Sequence, residues 1–397
     1  MSGSILFYVQ HLLGIGHLRR ALYLVDAMAR ADLAVTLVSG GEPLPDLAVL
    51  RARRLVQLPP IRASDTGFRN LVGADGRPPD DRLWSARRDA LLAAFAEAEP
   101  DALVVEAYPF GRRAFRRELE PLVAAARARQ PRVLVLCSLR DIVIAPTEAS
   151  RLQEIVERVQ RDFDAVLVHG DERLIALSES FPRASQIAER IVYTGYVTGF
   201  DPAVAGESGA SADEVMVSAG GGAVGGELLR TALEARRRGR HADAGWRLLT
   251  GPNLPAAEFA ALAAGLPDGV IVERYRDYFA QMLRRCRVSV SQAGYNTVLD
   301  IIGAGAPAVL VPFAEMRETE QTLRAKRLAQ RGVVEMLPPA ALSPDRLGDA
   351  IERAIRRHPA TLALDTNGAG RTAVIISDMV HGRASRGTIY QIRAADG

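Results

Sequence analysis

The chain has 397 residues, 48% hydrophobic and 24% charged, with a formal net charge of +3. That is a globular composition, too long for one ordinary core, so it predicts two domains and excludes a fibrous or disordered chain. No stretch reaches the ~18 uninterrupted apolar residues of a membrane span, and the opening MSGSILFYVQ lacks a basic leader, so neither a span nor a signal peptide is expected.

In chain order, short apolar runs predict strands at Ile5–Val9, Ala34–Val38, Ala102–Val105, Val133–Cys137, Ala165–Val168 and Ile191–Tyr193. A small, polar, Gly/Ser/Pro-bearing stretch at 199–214 reads as a linker. A second series follows at Val215–Ser218, Arg247–Leu249, Val288–Val290, Ala308–Val311 and Val333–Met336. Helical periodicity fills the intervals; in HLRRALYLVDAMAR, Leu18, Ala21, Leu22, Val25 and Met28 share one face. Continuous apolar strands alternating with helices predict an α/β fold of two Rossmann-like, doubly wound domains facing a cleft. The expected division is residues 1–200, a linker at 201–212, a second domain at 213–367 and a tail at 368–397. Residues 61–82 form an irregular stretch too long for a plain connection and read as a lid or a disordered loop. Ligands of such sheets lie beyond the carboxyl ends of the strands, so the cleft between the domains is the expected site.

The two cysteines, Cys137 and Cys286, are expected as buried free thiols of a reducing cytoplasm. Lys326 is the one lysine, and the arginine clusters at 51–54, 112–117 and 236–240 are scattered. They predict a solvated surface, with docking to an anionic membrane surface as the sharper alternative. They carry no interleaved aromatics, which argues against a nucleic-acid partner.

Three strand-to-helix turns carry the chemistry. In QHLLGIGHLRRAL, Gly14 and Gly16 permit close approach of a ligand, and His17 sits where the first helix starts. The positive end of that helix disfavours imidazolium, so His17 is expected neutral and able to accept a proton; packing of the turn is the alternative reading. Arg19 replaces the third glycine of the dinucleotide fingerprint, which disfavours an NAD site. In VSAGGGAVGGELL, Gly220, Gly221 and Gly222 could cradle phosphate, although no Walker lysine follows. In SQAGYNTVLD, Gly294 admits a ligand, Asn296 and Thr297 can cap the helix, and Asp300 lies one turn in, placed to accept ribose hydroxyls. Farther on, the neighbouring carboxylate and amide of Glu320 and Gln321 suit the vicinal hydroxyls of a sugar.

With GIGHLRRAL, YPFGRRAF, SLRDI, VLVHGD, SQAGYNTVLDIIGAGAPAVLVPF and ETEQTLRAKRL, the chain resembles GT-B glycosyltransferases of the family 28 type. That group includes the N-acetylglucosaminyltransferase of lipid II synthesis, and the chain is most similar to an uncharacterised branch of predicted glycosyltransferases. The resemblance spans almost the whole chain, and its last two segments are the most specific. It implies that Ser291 and Gly294, Tyr295, Asn296 and Thr297 form the donor phosphate loop. Asp300 would stand for the family's ribose-binding glutamate, and Glu320 and Gln321 for the pair that reads the donor sugar. Arg274 and Tyr275 would lie near the nucleobase. It further implies a C-terminal helix returning to the first domain.

Sugar transfer needs a base for the acceptor hydroxyl and stabilisation of the departing nucleoside diphosphate. His17 is the first candidate base. Asp141 and Glu106 follow first-domain strands and could orient it or bind acceptor; each could instead pair with its neighbour, Arg140 or Arg112. His169 follows another strand toward the cleft's edge, an acceptor-side candidate together with Gly14 and Gly16, although the neighbouring backbone or Asp171 is its expected partner. The Asp-x-Asp at Asp162–Asp164 precedes a strand and reads as a helix-to-strand connection, so no metal and no cofactor are expected. The expected reaction is inverting transfer from a nucleotide-sugar, UDP-sugar first, to a glycan or lipid-linked acceptor in cell-envelope, exopolysaccharide or glycolipid synthesis. A UDP-sugar 2-epimerase or nucleotide-sugar hydrolase, and a non-catalytic nucleotide-sugar-binding partner, are the alternatives. A lipid-linked acceptor would call for an apolar patch with basic neighbours, Phe68, Leu71 and Trp84 beside Arg69 and Arg82, and peripheral contact with the cytoplasmic membrane.

Overall fold

The computed structural model describes residues 3–12, 16–43, 51–65, 70–199, 213–220, 225–252, 254–274, 279–313, 319–357 and 364–382. The chain divides into two compact units, Met1–Thr198 with Leu364–Gly397, and Gly199–Ala363.

The first unit opens with β1 (Ser4–Val9), α1 (Gly16–Arg30), β2 (Ala34–Ser39) and β3 (Arg54–Gln57). A small antiparallel pair follows, β4 (Ile61–Ala63) and β5 (Leu71–Gly73), then α2 (Asp81–Ala98) and β6 (Ala102–Glu106). The unit continues with α3 (Arg116–Ala128), β7 (Leu134–Arg140), α4 (Ala149–Asp162), β8 (Ala165–His169) and β9 (Ile191–Tyr193). Its seven-stranded sheet runs β3-β2-β1-β6-β7-β8-β9, every pair parallel. The strands read as unbroken apolar runs because both faces are covered. In β1, Leu6 and Tyr8 join the layer of α2, α3 and α4, while Ile5, Phe7 and Val9 pack under α1.

The second unit holds β10 (Val215–Ser218), α5 (Gly226–Arg237), β11 (Trp246–Leu249), α6 (Ala256–Ala263), β12 (Val270–Glu273) and α7 (Phe279–Leu283). After these come β13 (Val288–Ser291), α8 (Tyr295–Ala304), β14 (Ala308–Leu310), α9 (Glu320–Gln330), β15 (Glu335–Met336) and α10 (Pro344–Arg356). Its six strands, β12-β11-β10-β13-β14-β15, are again all parallel and carry one core around Trp246, Leu248, Val290 and Ile351.

The chain returns to the first unit at Leu364, and α11 (Gly368–Val380) lays Ala373, Ile375 and Ile376 into the α1 layer. Gly195, at a φ of +83°, makes the crossing possible: a Cβ there would stand 2.6 Å from the Asp365 carboxylate carbon. The Tyr196 N–H donates to the Asp365 carbonyl at 2.7 Å, and Val197 bridges Asn367.

Several elements differ from the sequence reading. Arg54–Gln57 is an exposed edge strand, hidden in the sequence by its arginine neighbours, and Val270–Glu273 is the opposite edge of the second sheet. The stretch 61–82 contains the β4–β5 pair and the start of α2, which Asp80 caps by accepting from the Leu83 N–H at 2.8 Å. Of the apolar patch envisaged there, the described members Leu71 and Trp84 are half-buried. Leu71 and Trp84 pack against the core, Trp84 edge-on to Phe115 at 5.5 Å; Phe68 and Arg69 lie outside the described residues. Among the described residues no helix is long and apolar enough to cross a membrane.

Candidate active site

Each sheet has one place where successive connections leave in opposite directions. In the first unit it is β1/β6; in the second it is β10/β13. Open α/β sheets bind their ligands at such a point, beyond the carboxyl ends of the strands.

In the first unit, β1 leads into α1, whose second residue is His17, and β6 ends on Glu106. Because side chains alternate along a strand, Glu106 follows Val105 of the α2–α4 layer and turns to the α1 side. There the His17 Nδ1 lies 2.6 Å from Glu106 Oε1. Arg20, one helical turn after His17, donates from Nη2 to the same oxygen at 2.5 Å. A carboxylate oxygen 2.6 Å from Nδ1 requires the proton on Nδ1, so Nε2 carries the lone pair. The longer approach of Arg20 Nη2 to Nδ1, 3.3 Å, competes poorly. The Glu106 side chain is 1% exposed, Arg20 3% and His17 25%, so the imidazole edge alone reaches solvent.

Burial pushes the His17 imidazole down to about 4, with the Glu106 carboxylate acting against the shift and Arg112 adding to it. Burial pushes Glu106 upward, but His17, Arg20 and Arg112 outweigh it and hold the carboxyl below the usual carboxylate range. The pair at neutral pH is therefore an ionised Glu106 and a neutral His17. Gly14 lies outside the described residues, and Gly16 is the first residue of α1.

Two other first-unit candidates are corrected. His169 is fully buried, with Nε2 2.8 Å from Ser138 Oγ and Nδ1 2.9 Å from Thr194 Oγ1, rather than bonded to the backbone or Asp171. Burial holds it down to about 3, a neutral tie between β7, β8 and the segment after β9. Asp141 is also fully buried and accepts from the Ile142 N–H at 3.0 Å, closing its own turn; it makes no hydrogen bond to His17. Asp164 accepts from the Val135 N–H and binds Arg127 and Arg132, the structural role expected of a helix-to-strand connection. Among the described residues no group of three metal-ligating side chains assembles.

In the second unit, Ser218 and Ser291 are register partners at the carboxyl ends of β10 and β13. Ser291 does not present its hydroxyl to a ligand. It is fully buried, with Oγ 2.9 Å from Ser289 Oγ, because the residue still belongs to the strand. Gly220 has φ +61°, and its N–H donates to Ser218 Oγ at 3.3 Å; Gly221 and Gly222 lie outside the described residues. Gly294 is the N-cap of α8, so Asn296 and Thr297 occupy the first turn instead of capping it, and no side chain caps that end. Among the described residues, a Cβ at Gly294 would meet no atom within 4 Å. Packing does not demand glycine there; close approach of a ligand to the open N–H groups of the helix would. Tyr295 is buried under Arg324, and Asp300 lies half-buried on α8.

Glu320 and Gln321 open α9, but their side chains turn toward the protein. Gln321 Oε1 accepts from both the Ala293 N–H and the Phe313 N–H at 3.0 Å. Glu320, 4% exposed, binds Arg324 at 2.9 Å, and Arg324 donates to the Ala293 carbonyl at 2.9 Å. The pair expected to read a sugar thus pins the turn after β13 from behind. Arg274 likewise donates to the Leu254 and Pro252 carbonyls and lies 4.6 Å over the Phe259 ring, so its guanidinium shapes a loop; Tyr275 lies outside the described residues.

Sequence reasoning missed Arg20 and Arg324. The signal was available: Arg20 shares the i, i+4, i+8 row with buried Leu24 and Met28, and Arg324 the row with buried Leu328. A charge on the apolar stripe of a helix that opens at a strand's carboxyl end has a partner inside.

Two Rossmann-like parallel domains, each with one topological switch point, define the GT-B fold. The calicheamicin glycosyltransferase CalG4 shares it with a TM-score of 0.62 and 19% identity over 96% of this chain and 98% of that one. Residues 216–375 are similar to the glycosyltransferase family 28 C-terminal domain. An uncharacterized glycosyltransferase of Methanopyrus kandleri is 30% identical over 165 residues, 41% of this chain and 44% of that protein. The UDP-N-acetylglucosamine–N-acetylmuramyl-(pentapeptide) pyrophosphoryl-undecaprenol N-acetylglucosamine transferase of Gloeobacter violaceus is 32% identical over 136 residues, 33% of this chain and 37% of that one. The matched region spans less than half the length of either relative.

Proposed function

We propose that the chain is a glycosyltransferase that moves a sugar from a nucleotide-sugar, a UDP-sugar first, to an acceptor hydroxyl with inversion and without a metal. The observation that carries this reading is the His17–Glu106 pair at the β1/β6 switch point, in which Glu106 engages Nδ1 and leaves the lone pair on Nε2, and the His17 side chain is 25% exposed. His17 Nε2 takes the proton of the acceptor hydroxyl as its oxygen attacks the anomeric carbon. Glu106 holds the ring in the required tautomer and stabilises the imidazolium that forms, and Arg20 keeps that carboxylate ionised. The bond to the nucleoside diphosphate breaks, and its charge falls on the N–H groups opening α8 at Gly294–Thr297, with Gly220 two residues beyond the end of the neighbouring strand β10. Asp300 takes a ribose hydroxyl. The acceptor is a glycan or lipid-linked hydroxyl, met at the cytoplasmic face of the membrane.

The similarity of residues 216–375 to the family 28 domain and the UDP-sugar named for the Gloeobacter relative support the donor half of this reading. Thermal unfolding against UDP, dTDP, GDP, ADP and NAD tests it. At 100 times its dissociation constant a ligand adds about 2.7 kcal/mol of stability, so UDP or dTDP should shift the transition and NAD should not. Transfer should persist in a chelator. No shift with any nucleotide, or loss of turnover on chelation, would overturn the corresponding half of the proposal.

A further inference from the structure

Arg112 is the one charged neighbour of the His17 pair that the mechanism leaves without a task. It follows β6 in the segment AYPFGRR, which holds two non-glycine residues in the left-handed region, Ala107 at φ +64° and Arg112 itself at +59°. Such conformations are costly and persist where surrounding structure imposes them. They aim Arg112 back over the end of β6. Its Nη2 stops 3.8 Å from Glu106 Oε2, beyond hydrogen-bond distance. Glu106 Oε2 and Arg112 Nε are both buried without a hydrogen bond. Glu106 already has Arg20 on its other oxygen, and among the described residues it is the one acidic group facing Arg112. The remaining groups facing Arg112 are Arg20 of α1, Arg140 of β7 and the Tyr8 phenol of β1, and it also acts on His11 after β1. The guanidinium therefore holds a positive charge with no hydrogen-bonded counter-ion, 13% exposed, beside the proposed base. Burying such a charge is costly, and a guanidinium fork matches a phosphate or carboxylate.

We propose that Arg112 anchors an anionic group, phosphate or carboxylate, carried by the acceptor, and so places the acceptor hydroxyl at His17. This deepens the transferase reading and names the acceptor class as anionic. An anion on Arg112 also offsets the charge that helps hold His17 down, so occupancy of the acceptor site strengthens the base. A neutral acceptor would gain neither the anchor nor the stronger base.

The test uses the full chain with methyl phosphate and acetate as probes and no donor. The His17 ring signal, assigned by its loss in His17→Asn, is followed by NMR from pH 7 downward. The groups facing that ring are Glu106, Arg20 and Arg112. Methyl phosphate should raise the midpoint by about one unit. Arg112→Gln should abolish the response, and Arg112→Lys, which keeps charge but not the fork, should retain a weaker one. The lysine variant decides the matter if the glutamine variant fails to unfold cooperatively. An undiminished response in Arg112→Gln, no response to either probe in the parent chain, or a larger Arg112-dependent response to UDP would overturn the proposal. Neither donor nor turnover is needed, so a missing nucleotide shift with an intact probe response sinks the transferase reading alone.

Discussion

At the residue scale, the site rests on a neutral histidine against an ionised glutamate. His17→Ala should lower turnover by about 10²- to 10⁴-fold while leaving UDP binding unchanged, since the residue acts on the acceptor proton. Turnover within a few-fold of the parent would remove His17 from the role. Because burial sets the His17 imidazole at about 4, the acid limb of kcat/KM should fall near that pH instead of near 6.5. Stability carries the same signature. His17 and His169 are held to about 4 and about 3, whereas in the unfolded chain they protonate near 6.5. Between those limits the unfolded chain binds more protons, so stability present above pH 6.5 is lost as the pH falls toward 4. Urea unfolding at steps across that range should show the decline. His169→Gln, which can still bond Ser138 and Thr194 without titrating, should flatten it; an unaltered slope would refute the assignment. The sequence made His17 legible, because a glycine turn after a first strand is local. It left Glu106 with two readings, because its partners His17 and Arg20 stand 89 and 86 residues away on another element.

At the scale of elements, the turn between β13 and α8 is shaped by α9. Gln321 holds two N–H groups of separate loops, and Arg324 holds the carbonyl of Ala293 between them. Gln321→Ala should weaken UDP binding about tenfold, the equivalent of one or two lost hydrogen bonds, by loosening the turn. Equal UDP affinity in calorimetric titration would show that the turn holds without it. Arg324→Met should cost about 3–5 kcal/mol in chemical unfolding, because it removes the guanidinium that pairs with the buried Glu320 carboxylate. Adding Glu320→Gln to that variant should recover part of the loss, and a double substitution worse than the single one would refute the pairing. The sequence placed Glu320 and Gln321 at the right helix start but on the wrong side. Which face of a short helix turns inward is set by what packs against it, and the cue lay in Arg324 on the row of Leu328.

At the scale of the whole molecule, each unit owns a sheet and a core, and the chain closes the first unit only with its late helix. Ala373, Ile375 and Ile376 of α11 complete the layer over Phe7, Leu18 and Leu24. Truncation after Thr366 should therefore destabilise the first unit and slow turnover, while UDP binding by the second unit persists. Loss of both together would mean that α11 supports the second unit too. By itself the sequence determined two parallel α/β domains and the turns that follow their strands, because apolar continuity and helical period are properties of neighbouring residues. Only the tertiary structure decided that His17, Arg20, Glu106 and Arg112 converge, and that Glu320 and Gln321 support the turn after β13 from within. Strand order and the inward face of a helix are settled by burial across the whole sheet, and no local stretch of chain encodes them.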